Sequence, residues 1–341
     1  MADQQPKQYY SSFSSLADAG TKVAIVYSDK YNIRLLGLEK LHPFDSCKYA
    51  NVAAHLDRSG EIQLSNMIEP CRMPTEEELL MVHTREYLDS LQNSTELARI
   101  TQVWLAAWIP MYILRPYILN PLLYATSGTV LAGYLAVQRG AAVNLGGGFH
   151  HCSGASGGGF CAYADITLSL QLLRRNFPSR VRRAMIIDLD VHQGNGHENA
   201  KRRLNDNDLY IVDVYNPSLY PCDYVAAQEI NVAMYLGTRM NDASYLAEVQ
   251  FALDHAFATF QPDVIYYNAG TDIMAGDPLG QMYVTPKGII QRDEIVFQRA
   301  VDQKIPIVMV LSGGYQSSTA AVIGDSILNL KRKFNLFNAI L

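Results

Sequence analysis

The sequence predicts a single α/β domain, with helices on both faces of a mostly parallel sheet in a three-layer α/β/α arrangement. Three observations lead there. Of 341 residues, 49% are apolar and 18% charged, which supplies one large core and argues against extensive disorder. Short apolar runs alternate with longer helix-periodic segments, without a repeat, low-complexity linker or break in composition. The chemically unusual residues follow directly after the apolar runs, at the carboxyl edge where open parallel sheets bind ligands.

The elements follow in order. Residues 1–20 are polar and Ser-rich and are expected to form a flexible tail, leaving 21–341 as the domain. Strands are predicted at Lys22–Tyr27, Ala141–Leu145, Ala184–Asp190, Leu209–Tyr215, Asp263–Ala269 and Ile305–Leu311. Several are apolar at nearly every position, as strands covered on both faces are. Thr75 and Glu78 form a capping-box signal ahead of Leu79 and Leu80. Ala243–Phe260 spaces Leu246, Val249, Leu253 and Phe257 three or four residues apart, and Pro286 opens a helix lined by Ile289, Ile290, Val296 and Phe297.

Charge and cysteine content exclude several classes. A formal net charge of −5 gives no global attraction to nucleic acid or anionic membrane. Arg174, Arg175, Arg180, Arg182 and Arg183 cluster locally, as a solvated helix end or as an anion-binding patch. Five scattered cysteines without a CxxC pair, and no signal-peptide pattern, read as reduced thiols in a nuclear and/or cytoplasmic protein that is not secreted. The most apolar run, Val103–Leu114, falls short of the roughly 20 residues a spanning helix needs. It reads as a buried helix or as a lipophilic surface near a site.

Four predicted strand ends deliver polar groups to one edge. They carry Gly146-Gly147-Gly148-Phe149-His150-His151, then Asp188-Leu189-Asp190-Val191-His192, then Gly270-Thr271-Asp272 with Gly276-Asp277, and finally Ser312-Gly313-Gly314-Tyr315. Asp188, Asp190 and His192 share a period of two, which in extended backbone puts three side chains on one side. Asp190 and His192 can share a cation, with Asp277 as a third ligand from a different strand end. One nitrogen, two carboxylates and an open position suit catalytic Zn²⁺. Two carboxylates neutralise most of that charge, so a general base is needed nearby, and His150 and His151 are the adjacent pair available. The Tyr315 phenol can donate to a tetrahedral oxyanion. Phe160 and Tyr220 can wall an apolar channel, although packing roles would also account for them.

The stretches 146–152, Gly-Gly-Gly-Phe-Cys-Ala-Tyr-Ala-Asp at 157–165, Ile186–Glu198, Asn268–Asp277 and Leu-Ser-Gly-Gly-Tyr-Gln at 311–316 resemble the zinc-dependent histone deacetylases, and among them class IV, the histone deacetylase 11 type. Tyr27–Asn32 and Gly37–Asp45 extend the resemblance toward the N-terminus. It implies the arginase–deacetylase fold, with Zn²⁺ on Asp190, His192 and Asp277. It implies paired histidines at 150 and 151, with His151 closer to the acid/base role, and Tyr315 as the carbonyl-polarising phenol. It further implies structural K⁺ on Asp188 and nearby carbonyls, and a substrate channel along Gly159, Phe160, Tyr220, Gly313 and Gly314. The implied substrate is acylated lysine on histone or non-histone proteins, long-chain acyl groups included, with corepressor or other protein partners.

Two positions depart from the wider family in the class IV manner. Gln193 replaces a second histidine, and Asn195 replaces an aspartate. A carboxylate at 195 would raise the pKa of His151, and a neutral amide does not. The stretch before His150 lacks the acidic rim of class I members and carries Trp104, Trp108, Met111, Tyr112 and Ile113, an apolar rim compatible with a long acyl chain. Three alternatives stand against this reading. A binuclear hydrolase of the arginase type would need a carboxylate where Gly194 stands. A deacylase of small amines such as acetylpolyamines, or a non-catalytic acyl-lysine-binding scaffold, would use the same fold.

Overall fold

The computed structural model describes residues 22–34, 45 and 47–338. The expected tail and most of the Gly37–Asp45 motif lie outside these residues. Seven strands form one sheet: β1 (Ile25–Val26), β2 (Ala141–Asn144), β3 (Ala184–Asp188), β4 (Leu209–Tyr215), β5 (Val232–Tyr235), β6 (Val264–Asn268) and β7 (Ile307–Val310). Their order is β1-β2-β7-β6-β3-β4-β5, and every pair is parallel. The sheet is thus wholly parallel, as the unbroken apolar runs require: β2, β3, β6 and β7 are buried at every residue, so both faces are covered.

Strand β5 was not legible in the sequence. It is an edge strand buried only at Val232 and exposed at Tyr235, so no continuous apolar run marks it. The other predicted strands exist, most of them shortened at their ends. The largest consequence is at β3, whose ladder stops at Asp188 rather than Asp190. Beyond that point the amide of Asp190 donates to Asp188 Oδ1 (3.1 Å) and that of His192 to Asp190 Oδ1 (3.0 Å). The three side chains therefore converge through successive side-chain-to-backbone hydrogen bonds, not through extended pleating.

The helices follow their sequence signals closely. Thr75 caps Glu76–Leu79 with the full capping box, and Asn241 caps Asp242–Thr259. Thr285 caps Pro286–Gln303 with Pro286 in the first turn. Leu246, Phe257 and Ile290 are only half-buried, while Val249, Leu253, Ile289, Val296 and Phe297 are buried. The apolar run after Val103 folds into short turns, Trp104–Trp108 and Met111–Leu114, leading into the long helix Asn120–Arg139. Trp104, Leu105, Trp108 and Tyr112 are 70%, 55%, 88% and 79% exposed, so this run is a lipophilic surface and not a buried helix. Among the described residues no helix is long and apolar enough to cross a membrane. The arginine cluster is largely paired: Arg174 meets Asp206, Arg182 meets Asp208 at 2.9 Å, and Arg183 stacks over Phe260.

Candidate active site

Parallel register levels the carboxyl ends of β3, β4 and β6, setting Asp188 between Asp213 and Asn268. Asp188 is fully buried. It accepts from the Asn268 amide (2.9 Å) on Oδ1, and His150 Nδ1 lies 3.0 Å from its Oδ2. The loop after β3 brings Asp190 and His192 together, with His192 Nδ1 3.1 Å from Asp190 Oδ1. The far side of the His150 ring, Nε2, lies 3.7 Å from the same Asp190 oxygen. His150 thus bridges the two carboxylates.

Among the described residues the compact ligand cluster is Asp190, His192 and Asp272, with donor atoms within 4.8 Å of one another and all three buried. Asp277, which the sequence reading names as third ligand, stands outside that cluster. Its carboxylate accepts the amides of Tyr315 (2.9 Å), Leu279 (2.9 Å) and Gly280 (3.1 Å). Asp272 accepts the Val191 amide at 3.0 Å and lies 3.0 Å from His192 Nδ1. The sequence offered a weak signal for it: an aspartate four residues beyond β6, on the strand end that carries Asp277.

The donor set fits a divalent cation. Burial and the neighbouring Asp190 push the Asp272 carboxyl up to about 7, a strain that a cation among these carboxylates relieves. Gly313 is required beside them, because a β-carbon there would collide with Oδ2 of both Asp190 and Asp272. The Gly313 amide donates to Asp190 Oδ2 at 2.9 Å, and the Ser312 hydroxyl donates to the same oxygen at 3.0 Å. Beneath this turn lies a residue the sequence reading missed. Lys48 is buried, and its Nζ donates to the carbonyls of Ser312 (2.5 Å) and Gly313 (2.8 Å). A lone lysine in a helix carries no sequence signal for such a role.

His150 and His151 stand with ring centroids 4.0 Å apart. Burial opposes charging His150, but Asp190 and Asp188 outweigh it and push its pKa up to about 9. Burial, reinforced by His150 and His192, holds His151 well below the ordinary imidazole range. His151 Nδ1 lies 3.0 Å from Asn195 Oδ1, so its neighbour there is an amide and not a carboxylate. Burial, then Asp190 and Asp272, push the Tyr315 phenol well above its usual range, keeping it a proton donor.

One cleft is lined by His151, Gly159, His192, Tyr220, Leu279 and Tyr315, together with Gln102. The Tyr220 ring stands edge-on to His151 with centroids 4.8 Å apart, and Gly159 lies against His151. A second cavity, which shares His151, Gly159 and Tyr315 with the first, is also lined by His150, Phe160 and Gly313. Every predicted site residue described above borders one of these spaces or supports a residue that does, except Gly314, which lies against Thr271 and Lys48.

The histone deacetylase domain family matches residues 42–330 of this chain. The chain belongs to the histone deacetylase family. "Histone deacetylase 2" of Arabidopsis thaliana is 46% identical over 313 residues, covering 92% of this chain and 80% of the relative. "Histone deacetylase clr3" of Schizosaccharomyces pombe is 26% identical over 85% of this chain and 44% of its own length. "Acetoin utilization protein AcuC" of Staphylococcus aureus is 26% identical over 78% of this chain and 69% of its own. Among solved structures, the HD domain of HDA15 superposes with a TM-score of 0.69 at 20% identity, covering 91% of this chain and 88% of that one, which establishes the shared fold.

Proposed function

We propose that this member of the histone deacetylase family is a zinc-dependent lysine deacylase. The observation that carries the reading is the buried convergence of Asp190 and His192 with two imidazoles and a phenol at one cleft. Asp190, His192 and Asp277 would hold Zn²⁺. Asp272, more deeply buried, accepts the Val191 amide and would hold in place the loop that carries His192. Asp277 is preferred as the outer ligand because it lies toward the cleft, beside Leu279 and Tyr315. Asp277→Asn should then weaken zinc binding more than Asp272→Asn, whose loss is expected at ~10–100-fold in affinity.

Bound zinc supplies Lewis acidity toward an amide carbonyl and toward water. His151, held neutral, takes the proton from the attacking water and returns it to the departing lysine amine. Tyr315 donates to the developing oxyanion. His150, held charged by Asp188 and Asp190, contributes a fixed positive field beside the reacting carbonyl. Structural K⁺ on Asp188 and neighbouring carbonyls completes the reading. So do the channel of Gly159, Phe160, Tyr220, Gly313 and Gly314, and a class IV character supported by Gln193 and Asn195.

The substrate reading is acyl-lysine on histone or other proteins, with long-chain acyl groups included. Its support is the exposed Trp104, Leu105, Trp108 and Tyr112, which lie two to ten residues beyond Gln102, a residue of the cleft lining. The test is kcat/KM for acetyl-, octanoyl- and myristoyl-lysine on a common peptide, with and without a chelator. Activity that rises with chain length and vanishes with the chelator supports the full reading. Activity that survives the chelator contradicts it, and preference for an acylated polyamine transfers the chemistry to small amines.

A further inference from the structure

The helix Asn195–Leu204 opens against the two histidines: of three consecutive residues in its first turn, two bond to them and the third meets the carboxylate that holds His150. Asn195 Oδ1 stands 3.0 Å from His151 Nδ1. The Gly196 amide donates to the His150 carbonyl at 2.7 Å. His197 is 2% exposed, and its Nε2 lies 3.0 Å from Asp188 Oδ2. That oxygen is the one that holds His150, also at 3.0 Å.

Nothing in the mechanism above uses His197, yet the chain makes room for it with care. A β-carbon at Gly194 would collide with both His197 Nε2 and Asp188 Oδ2, so only glycine lets the loop pass over the pair. The Gly194 amide is itself tied to Asp213 Oδ2 at 2.9 Å, which anchors this turn to β4. Two imidazoles therefore converge on a single carboxylate oxygen in a buried setting. Rotation of that carboxylate away from His150 would also break its 3.0 Å contact with His197.

We infer that His197 is a positioning residue, fixing the Asp188 carboxylate in the orientation that holds His150 at the reacting centre. It lines neither the cleft nor the Asp190–His192–Asp272 cluster; its short contact is with Asp188, and its ring stands 6.2 Å from that of His150. The inference rests on the deacylase reading for its kinetic arm alone.

Two variants and two readouts test it. His197→Leu keeps volume and removes the nitrogen; His197→Gln keeps a polar nitrogen on a flexible arm. The kinetic readout is kcat and KM on an acetyl-lysine peptide. The second readout is the His150 Nδ1–H resonance in the metal-free protein, which needs no activity. His197→Leu should lower kcat ~10-fold or more, as loss of an orienting partner does, with KM within about twofold. Its His150 resonance should shift or broaden, and His197→Gln should recover part of kcat. A folded His197→Leu protein with wild-type kcat and an unmoved His150 resonance overturns the inference. Should His197→Leu not fold, the His150 resonance of His197→Gln decides: displaced, it supports the role, and identical to wild type, it overturns it. A wild type inactive on every acyl-lysine peptide overturns the deacylase reading instead, and the resonance still decides this one.

Discussion

His150 and His151 are adjacent in the chain, almost in ring contact and buried to the same degree, yet the protein drives their protonation in opposite directions. His150 faces two carboxylates, Asp188 at 3.0 Å and Asp190 at 3.7 Å, and its pKa rises to about 9. His151 faces an amide, Asn195, and two other imidazoles, and burial takes it well below the ordinary value. The lesson is that burial alone does not assign a histidine its role. The neighbouring charges decide: at His150, Asp190 and Asp188 outweigh burial, whereas at His151 the imidazoles of His150 and His192 reinforce it.

The comparison can be broken most forcefully at the base. His151→Ala should lower kcat/KM by ~10²–10⁴, the usual worth of a positioned general base. A loss within a few-fold would move the base elsewhere. Tyr315→Phe should lower kcat by ~10²–10³ with both histidines undisturbed, if the phenol has the proposed oxyanion role. Asp188→Asn removes one of the charges that hold His150 protonated, so its pKa should fall toward the ordinary range and kcat should drop ~10–100-fold. A His150 that keeps its charge in that variant would show that Asp190 suffices. The smallest effect is expected for Asn195→Asp. The new carboxylate raises the pKa of His151, so the acid limb of kcat/KM moves to higher pH by about one unit or more. The sign follows from the role: the base works unprotonated, so activity is lost as pH falls through its pKa.

Much of this contrast was legible in the sequence, and the reasons are local. Strand ends rich in glycine, aspartate and histidine announced the edge of the sheet, and Asn195 announced a neutral partner for His151. What stayed hidden depends on distance in the chain. Asp272 joins Asp190 and His192 because β6 lies beside β3 in the sheet, an order no local pattern reveals. Lys48 reaches the Ser312–Gly313 turn across 264 residues, and His197 meets Asp188 only because a helix turns back on its own strand. The exposed aromatic run after Val103 was visible as composition, but its lack of burial emerged only from the fold.

The most direct test is the pH dependence of kcat/KM on an acetyl-lysine peptide, compared among wild type, His150→Ala and His151→Ala. The account predicts an acid limb below pH 6.5 in wild type, consistent with the lowered pKa of His151. That limb should persist at reduced activity in His150→Ala and disappear in His151→Ala. A limb that vanishes with His150 and survives without His151 would reverse the two roles and contradict the account.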